Sequence, residues 1–270
     1  GLANISWSKQ LDDSWRFGGP IALKVDQLSG YYADYFFVDL NTDLFAEATT
    51  PLGIQVSNPA SASLSRIDIG LPLEDLSWQY RFDTLTGEVQ IIDFDADLLD
   101  GKLNIASANY NSAGDRQQVD VVLADLRVGS LIELAKYPGL EADGLISGYL
   151  PFIIKGDTIS VQKGLVGALK PGGSIRYTPD GATPSSNQSL QLINDALSNY
   201  QYQTMNTEVF YSEDGELLLS VQLQGRNPDM NNGQAINLNV NITDNIPSLL
   251  KSLQASRVIT DELERFLSQP

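Results

Sequence analysis

Three aspartates at alternate positions, Asp93, Asp95 and Asp97, followed by Asp100-Gly101, come nearest to a chemical motif in this chain. On an extended strand they would share one face at a spacing of about 7 Å, and clustered carboxylates are what calcium needs. An EF-hand loop, however, requires glycine where Leu98 stands. Ile92, Phe94, Ala96 and Leu98 alternate with the acids, so the segment reads as a strand whose carboxylates meet solvent, and no metal site is expected. Composition closes most other routes to chemistry. The chain has neither histidine nor cysteine, which removes the usual nucleophilic triads, thiolates and Cys-based zinc sites. Ser6-x-x-Lys9 and Ser248-x-x-Lys251 have the spacing of a Ser–Lys site without its companion motifs. Gly164, Gly167, Gly172 and Gly173 match neither nucleotide fingerprint. Trp7, Trp15 and Trp78, with Tyr31, Tyr32, Tyr35, Phe36 and Phe37, could stack on sugars, but core packing and sheet edges are the plainer assignment. No catalytic residue, metal or cofactor is therefore expected, and the chain is read as a non-enzyme.

The elements that would carry any site are strands. From Ala235 to Thr243 the sequence runs A-I-N-L-N-V-N-I-T, placing Ile236, Leu238, Val240 and Ile242 on one face and three asparagines on the other. Upstream, Leu217, Leu219, Val221 and Leu223 alternate with Leu218, Ser220, Gln222 and Gln224. Glu213-Asp214-Gly215 makes residues 203–212 and 216–224 a hairpin, and Asn231-Asn232-Gly233 turns the chain into 235–243. The two apolar sets are expected to face one space. In the first half the strand candidates are 20–28, 34–46, 52–57, 63–69, 76–83, 87–99, 102–110 and 117–126, punctuated by Gly30, Gly53, Gly70, Gly87, Gly101 and Gly114. Strands and turns without regular helices between them argue for an antiparallel, mainly β fold. Three helices are expected: one capped by Ser130 and ended by Pro138-Gly139, one after Ser189 through Tyr200, and an apolar-striped tail from Ile246.

Length permits one large domain or two small ones; the chain is read as a single domain over 1–270, with a soft boundary in the loop 178–188. The net charge of −17 sets aside nucleic acid and anionic lipid surfaces as electrostatic partners. No apolar run is long enough to span a bilayer, and the start lacks a signal-peptide pattern. If the protein is exported, the chain is a mature fragment or an excised piece; absence of cysteine suits the periplasm, and many cytoplasmic chains also lack it.

From Leu165 onward the sequence resembles the C-terminal region of the YdbH-type proteins among the AsmA-like bridge proteins of Gram-negative envelopes. The resemblance is carried by Pro171-Gly172-Gly173-Ser174-Ile175-Arg176-Tyr177, by Leu190 to Leu197, and by Asn199, Tyr200 and Tyr202. It continues through Asp214-Gly215-Glu216-Leu217, Gly225-Arg226-Asn227-Pro228, Gly233-Gln234, Asn237-Leu238-Asn239 and Asn245-Ile246-Pro247 to Leu249-Leu250-Lys251-Ser252-Leu253. Gly144 to Gly148 and Leu150-Pro151 extend it upstream, whereas before about residue 85 it is only textural.

That resemblance implies an elongated, curled antiparallel sheet with an apolar concave groove and a few short helices. It implies an inner-membrane anchor in a segment absent here, a periplasmic span, and phospholipid movement towards the outer membrane. A small outer-membrane lipoprotein is expected to join by β-strand addition. Under this reading Leu217, Leu219, Val221, Leu223, Ile236, Leu238, Val240 and Ile242 line a lipid groove holding phospholipid acyl chains. The alternatives are a module that only docks the lipoprotein, then a carbohydrate-binding envelope domain, with a hydrolase last.

Overall fold

The computed structural model describes residues 2–3, 6–9, 15–33, 35–50, 53–69, 71–111, 114, 116–135, 137–156, 158–178, 188–246 and 248. The chain is mainly β, as its alternation requires. The strands in order are β1 (Leu2–Ala3), β2 (Ser6–Lys9), β3 (Trp15–Tyr32), β4 (Tyr35–Thr49), β5 (Gly53–Gln55), β6 (Ala60–Asp68), β7 (Pro72–Asp83), β8 (Glu88–Leu98), β9 (Gly101–Asn111) and β10 (Gln117–Arg127). Helix α1 (Val128–Ala135), β11 (Leu140–Asp143), β12 (Leu145–Lys155), β13 (Thr158–Ala168) and β14 (Gly173–Tyr177) follow. Helix α2 (Gln188–Leu197) then precedes β15 (Tyr200–Tyr211), β16 (Glu216–Arg226) and β17 (Ala235–Asn245). They form two compact units. The first comprises Gly1–Leu98, Leu103–Val121 and Phe152–Ile159, and the second Leu99–Lys102, Val122–Pro151 and Ser160–Pro270.

In the first unit β3 pairs with β1, β2 and β4, β4 with β5 and β6, and β7 with β5, β6 and β8, all antiparallel. Strands this long are bent by bulges. Gln27 in β3, Asp39 in β4, Asp75 in β7 and Asp93 in β8 all have positive φ, between 48° and 56°. The ladder register shifts beside them. Aspartate tolerates this backbone region better than most residues, and a bulge there bends and twists its strand. Neighbouring side chains bond to two of these backbone amides. The Gln27 N–H donates to Asn41 Oδ1 and the Asp39 N–H to Ser29 Oγ, each at 2.9 Å. Gly30, expected to end a strand, lies inside β3, and the chain reverses two residues after it at Tyr32↔Tyr35.

The bulge at Asp93 corrects the strand reading of the acidic segment. Ser77 pairs with Asp95 but Gln79 pairs with Ile92, so Ile92 crosses to the face of Asp95 while Asp93 occupies the bulge itself. Phe94 remains opposite the acids and lies 6.1 Å from the Trp78 ring. Ala96 and Leu98 are buried with it on the apolar side. A separate cluster of Ala46, Val56 and Ala60, packed by Ile21, Leu44, Tyr80 and Phe82, forms another part of the core of this unit. The opposite, polar face is dished into an open hollow of about 570 Å³ bordered by Lys24, Asp26, Asp43, Ser63, Gln79 and Asp93.

In the second unit β11 pairs with β14, and β15 pairs on one side with β14 and then β13, and on the other with β16. β16 pairs with β17. Residues 140–177, to which periodicity assigned no strands, contain four. Leu145–Lys155 is an apolar run interrupted by Pro151 rather than an alternating one, so period two could not reveal it. Helix α1 starts at Val128, and Ser130 is not its cap: the Ser130 hydroxyl donates to Asp100 Oδ2 at 2.7 Å from inside the helix. The expected tail helix falls almost wholly outside the described residues. At its start, the Ser248 N–H donates to Asn245 Oδ1 at 3.0 Å, the geometry of a helix N-cap.

Candidate functional site

Four neighbouring strands build one apolar face in the second unit. Their registers align Gly164, Val209, Leu219 and Ile242 in one row, and Val166, Thr207, Val221 and Val240 in the next. Met205, Leu223 and Leu238 form a third row, and Tyr202, Gly225 and Ile236 a fourth. All eight residues singled out in the sequence thus stand on one side of the β16–β17 ladder, with Leu217 opposite Asp244 at its end. Asn206, Gln222 and Asn239 make a row on the reverse face, with Thr204, Gln224 and Asn237 beside it. The β15 members were not singled out, although Met205, Thr207 and Val209 show the same period. Tyr202 could not be placed from period two, because a register shift between Tyr202 and Thr204 brings it onto this face.

The face is closed at one end; along the rest Thr207 and Val209 of β15 are buried, and the β16 and β17 side chains are half-buried or exposed. At the closed end Tyr200, Tyr202 and Leu223 form a buried cluster with Leu197, Ile175, Ala168, Ile236 and Leu238 packed on it. The Tyr200 hydroxyl donates to the Ile236 carbonyl and the Tyr202 hydroxyl to the Asp143 carbonyl, both at 2.7 Å. Burial, then the negative charge of Asp143, pushes the Tyr202 phenol up to about 12. Asn227, 1% exposed, fixes α2 here: its amide donates to the Asp195 carbonyl at 2.8 Å and to the Ala196 carbonyl and Ser198 Oγ at 3.3 Å. These carbonyls at the end of a helix lack internal partners, so Asn227 satisfies what the helix leaves open. Gly173 and Gly225 allow the strands to close around Tyr202. A Cβ at Gly173 would lie 1.9 Å from the Asp143 carbonyl oxygen, and one at Gly225 would lie 2.2 Å from that of Gln201.

Val221, Ile236 and Leu238, which pack on this cluster, are half-buried, as are Leu217, Leu219 and Val240 farther along, and Ile242 is 38% exposed, against 4% for Leu223. Leu192 and Ile193 of α2 are also exposed. At the open end, the Tyr137 hydroxyl donates to Asp244 Oδ2 at 3.2 Å. Desolvation, then the Asp244 charge and this hydrogen bond, raise the Tyr137 phenol. The rows therefore form an apolar surface with charge only at its margin, suited to holding hydrocarbon and without a reactive group.

β17 also offers an edge. The Ile246 N–H donates to the Gly215 carbonyl at 3.0 Å, which makes the residues in step with Ile246 the ones that bond to β16. The backbone groups of Asn237, Asn239, Asn241 and Thr243 accordingly point to the other edge of β17, away from β16. That edge has no proline, lysine or bulge through Thr243, the features that usually discourage pairing.

Other sequence candidates assemble nothing comparable. Asp95 accepts a hydrogen bond from Asn104, and among the described residues no group of three or more acids is placed to hold a metal. Lys251, of the second Ser–Lys pair, lies outside the described residues. Among the described residues no helix is long and apolar enough to cross a membrane.

One family model matches the chain, over residues 1–268: the YdbH-like model, described as intermembrane phospholipid transport protein YdbH. The chain belongs to the YdbH-like family. Membership extends through the first 85 residues, where sequence resemblance was only textural. YdbH-like proteins are a phospholipid-transport family of the cell envelope and not an enzyme family, in keeping with an apolar face rather than a catalytic constellation. No curated protein and no solved structure matches the chain.

Proposed function

We propose that the apolar face of β13, β15, β16 and β17 binds phospholipid acyl chains in the periplasm and forms one segment of a path between the inner and outer membranes. The observation that carries this reading is the in-register set of apolar rows that run on from the Tyr200–Tyr202 cluster, buried at Thr207 and Val209 on β15 and half-buried or exposed at Leu217, Leu219, Val240 and Ile242. Burying an acyl chain on such a surface gains about 0.8 kcal/mol per CH₂, which is sufficient binding energy without a specific polar contact. Leu217, Leu219, Val221, Leu223, Ile236, Leu238, Val240 and Ile242 are its lining residues. The family's phospholipid-transport function supports this reading, to which an inner-membrane anchor in a preceding segment of a longer protein belongs.

A second role is favoured by the edge of β17 that faces away from β16, regular and without proline or lysine through Thr243. It receives a strand from a small outer-membrane lipoprotein, so that the same hairpin both lines the path and docks its end. A regular, uncharged edge supplies backbone pairing without selecting side chains.

Leu238→Glu and Val221→Glu test the acyl-chain reading. On a surface open to water the charge stays hydrated, the protein folds with a modestly lowered melting temperature, and co-purifying or photo-crosslinked lipid is lost. In a closed core an unpaired charge costs several kcal/mol, comparable to the about 5–15 kcal/mol stability of a domain. Unfolding of both variants refutes the open face, and folded variants with full lipid content move the lipid elsewhere.

A further inference from the structure

The β3–β4 hairpin ends in an aromatic tip that the lipid-binding face does not explain. Tyr32 pairs with Tyr35 and Tyr31 with Phe36 across the tip. Tyr31 and Tyr32 are 76% and 77% exposed, Phe36 is 44% exposed, and the Tyr31 and Phe36 rings meet with centroids 4.9 Å apart. Successive strand residues point to opposite faces, so aromatic rings occupy both faces of the tip. A hairpin packed on a core needs an apolar set on one face only. The β6 ladder on β4 is recorded up to Phe37↔Ile67, short of these residues. Asp39 stands two residues beyond Phe37 on β4 and Asp68 one beyond Ile67 on β6; among the described residues there a single cation, Arg66, lies opposite Val38 and is bridged to Glu74.

We infer that this tip docks on the surface of a zwitterionic phospholipid bilayer. Tyrosine suits the boundary between headgroups and acyl chains, having an apolar ring and a hydroxyl that remains wet. The outermost group of a zwitterionic headgroup is an ammonium, which aromatic faces and carboxylates both attract. The flanking acids and the net charge of −17 repel an anionic surface. Charge complementarity therefore selects the amine-bearing neutral bilayer over the anionic one. The site lies wholly within the first unit and is separate from the proposed acyl-chain face.

Flotation of the 270-residue chain with phosphatidylcholine vesicles tests the inference. The protein should float with these vesicles, and less so as phosphatidylglycerol is added at low salt. The triple variant Tyr31→Ser, Tyr32→Ser, Phe36→Ser should partition roughly tenfold or more weakly, through loss of its ring contacts, with an unchanged melting temperature because the rings are exposed. Leu238→Glu should float like the wild type, separating this contact from the acyl-chain face. Failure of the wild type to float, undiminished flotation of the triple variant, preference for phosphatidylglycerol, or loss of flotation in Leu238→Glu would each overturn the tip as the docking site.

Discussion

At the residue scale, the groups that carried the family resemblance are mostly builders of the site rather than its lining. Gly173 and Gly225 give room to Tyr202, and Asn227 closes the end of α2. Their short motifs were readable in sequence, but their job was not, because it depends on which backbone each one approaches in space. The bulge aspartates were hidden for a similar reason: aspartate on a strand reads as a wet-face residue, and only φ distinguishes Asp93 from Asp95. Tyr202 has a measurable signature. Its folded pKa is raised from the ordinary 10.0 to about 12, so the native state keeps a proton that the unfolded chain loses first. The associated stability is complete below pH 10 and is lost as pH rises towards about 12. Alkaline unfolding should therefore steepen across that window, and ultraviolet titration should show Tyr202 ionising late. Replacing Tyr202 by Phe should flatten this part of the pH profile while lowering stability at neutral pH through the lost hydrogen bond. A Tyr202→Phe profile as steep as the wild type would remove Tyr202 as its cause.

At the element scale, alternation located β16 and β17 to within about two residues, the usual uncertainty of strand and helix ends, because each has one dry and one wet face. It failed across β11 to β14, where apolar runs and Pro151 conceal the period. Sequence also could not tell which residues of β17 bond to β16 and which face away from it, since both backbone edges of a strand look alike in one dimension. The register resolves this into a contrast between adjacent residues. Asn239 directs its N–H away from β16 and Val240 directs its N–H into the β16 ladder. Proline removes the N–H wherever it stands. Asn239→Pro should keep the β16–β17 hairpin and abolish capture of a partner strand in a pull-down, whereas Val240→Pro should disrupt the hairpin itself. A folded Asn239→Pro protein that still captures the partner would place strand addition on another edge.

At the scale of the whole molecule, fold class and envelope family were legible from the C-terminal motifs, yet family membership runs over residues 1–268. The first unit is recognisable mainly as texture because its long strands carry many small polar residues, and its bulges interrupt the pattern. A net charge of −17 with a pI near 4.2 acts on every element at once. Like charges repel across the folded chain, and the Debye length falls from about 30 Å at 0.01 M salt to about 8 Å at 0.15 M. The melting temperature should therefore rise by a few degrees over that range, by about 1 kcal/mol of relieved repulsion. A melting temperature that falls with salt would mean that specific ion pairs outweigh the net repulsion.

The turn before β17 also makes the protein a recorder of its own age. Asn232 and Gly233 both have positive φ, and the Gly233 N–H donates to the Met230 carbonyl at 2.9 Å. Asparagine before glycine is the pair most prone to deamidation, in which the glycine nitrogen attacks the asparagine side-chain carbonyl and expels ammonia, and water then opens the cyclic imide to aspartate or isoaspartate. While the turn is formed that nitrogen is held away by its hydrogen bond; when the turn opens it is released. Each opening thus carries a small chance of writing a permanent aspartate or isoaspartate at Asn232. In stored protein, the fraction so converted measures how often the β16–β17 connection has come apart.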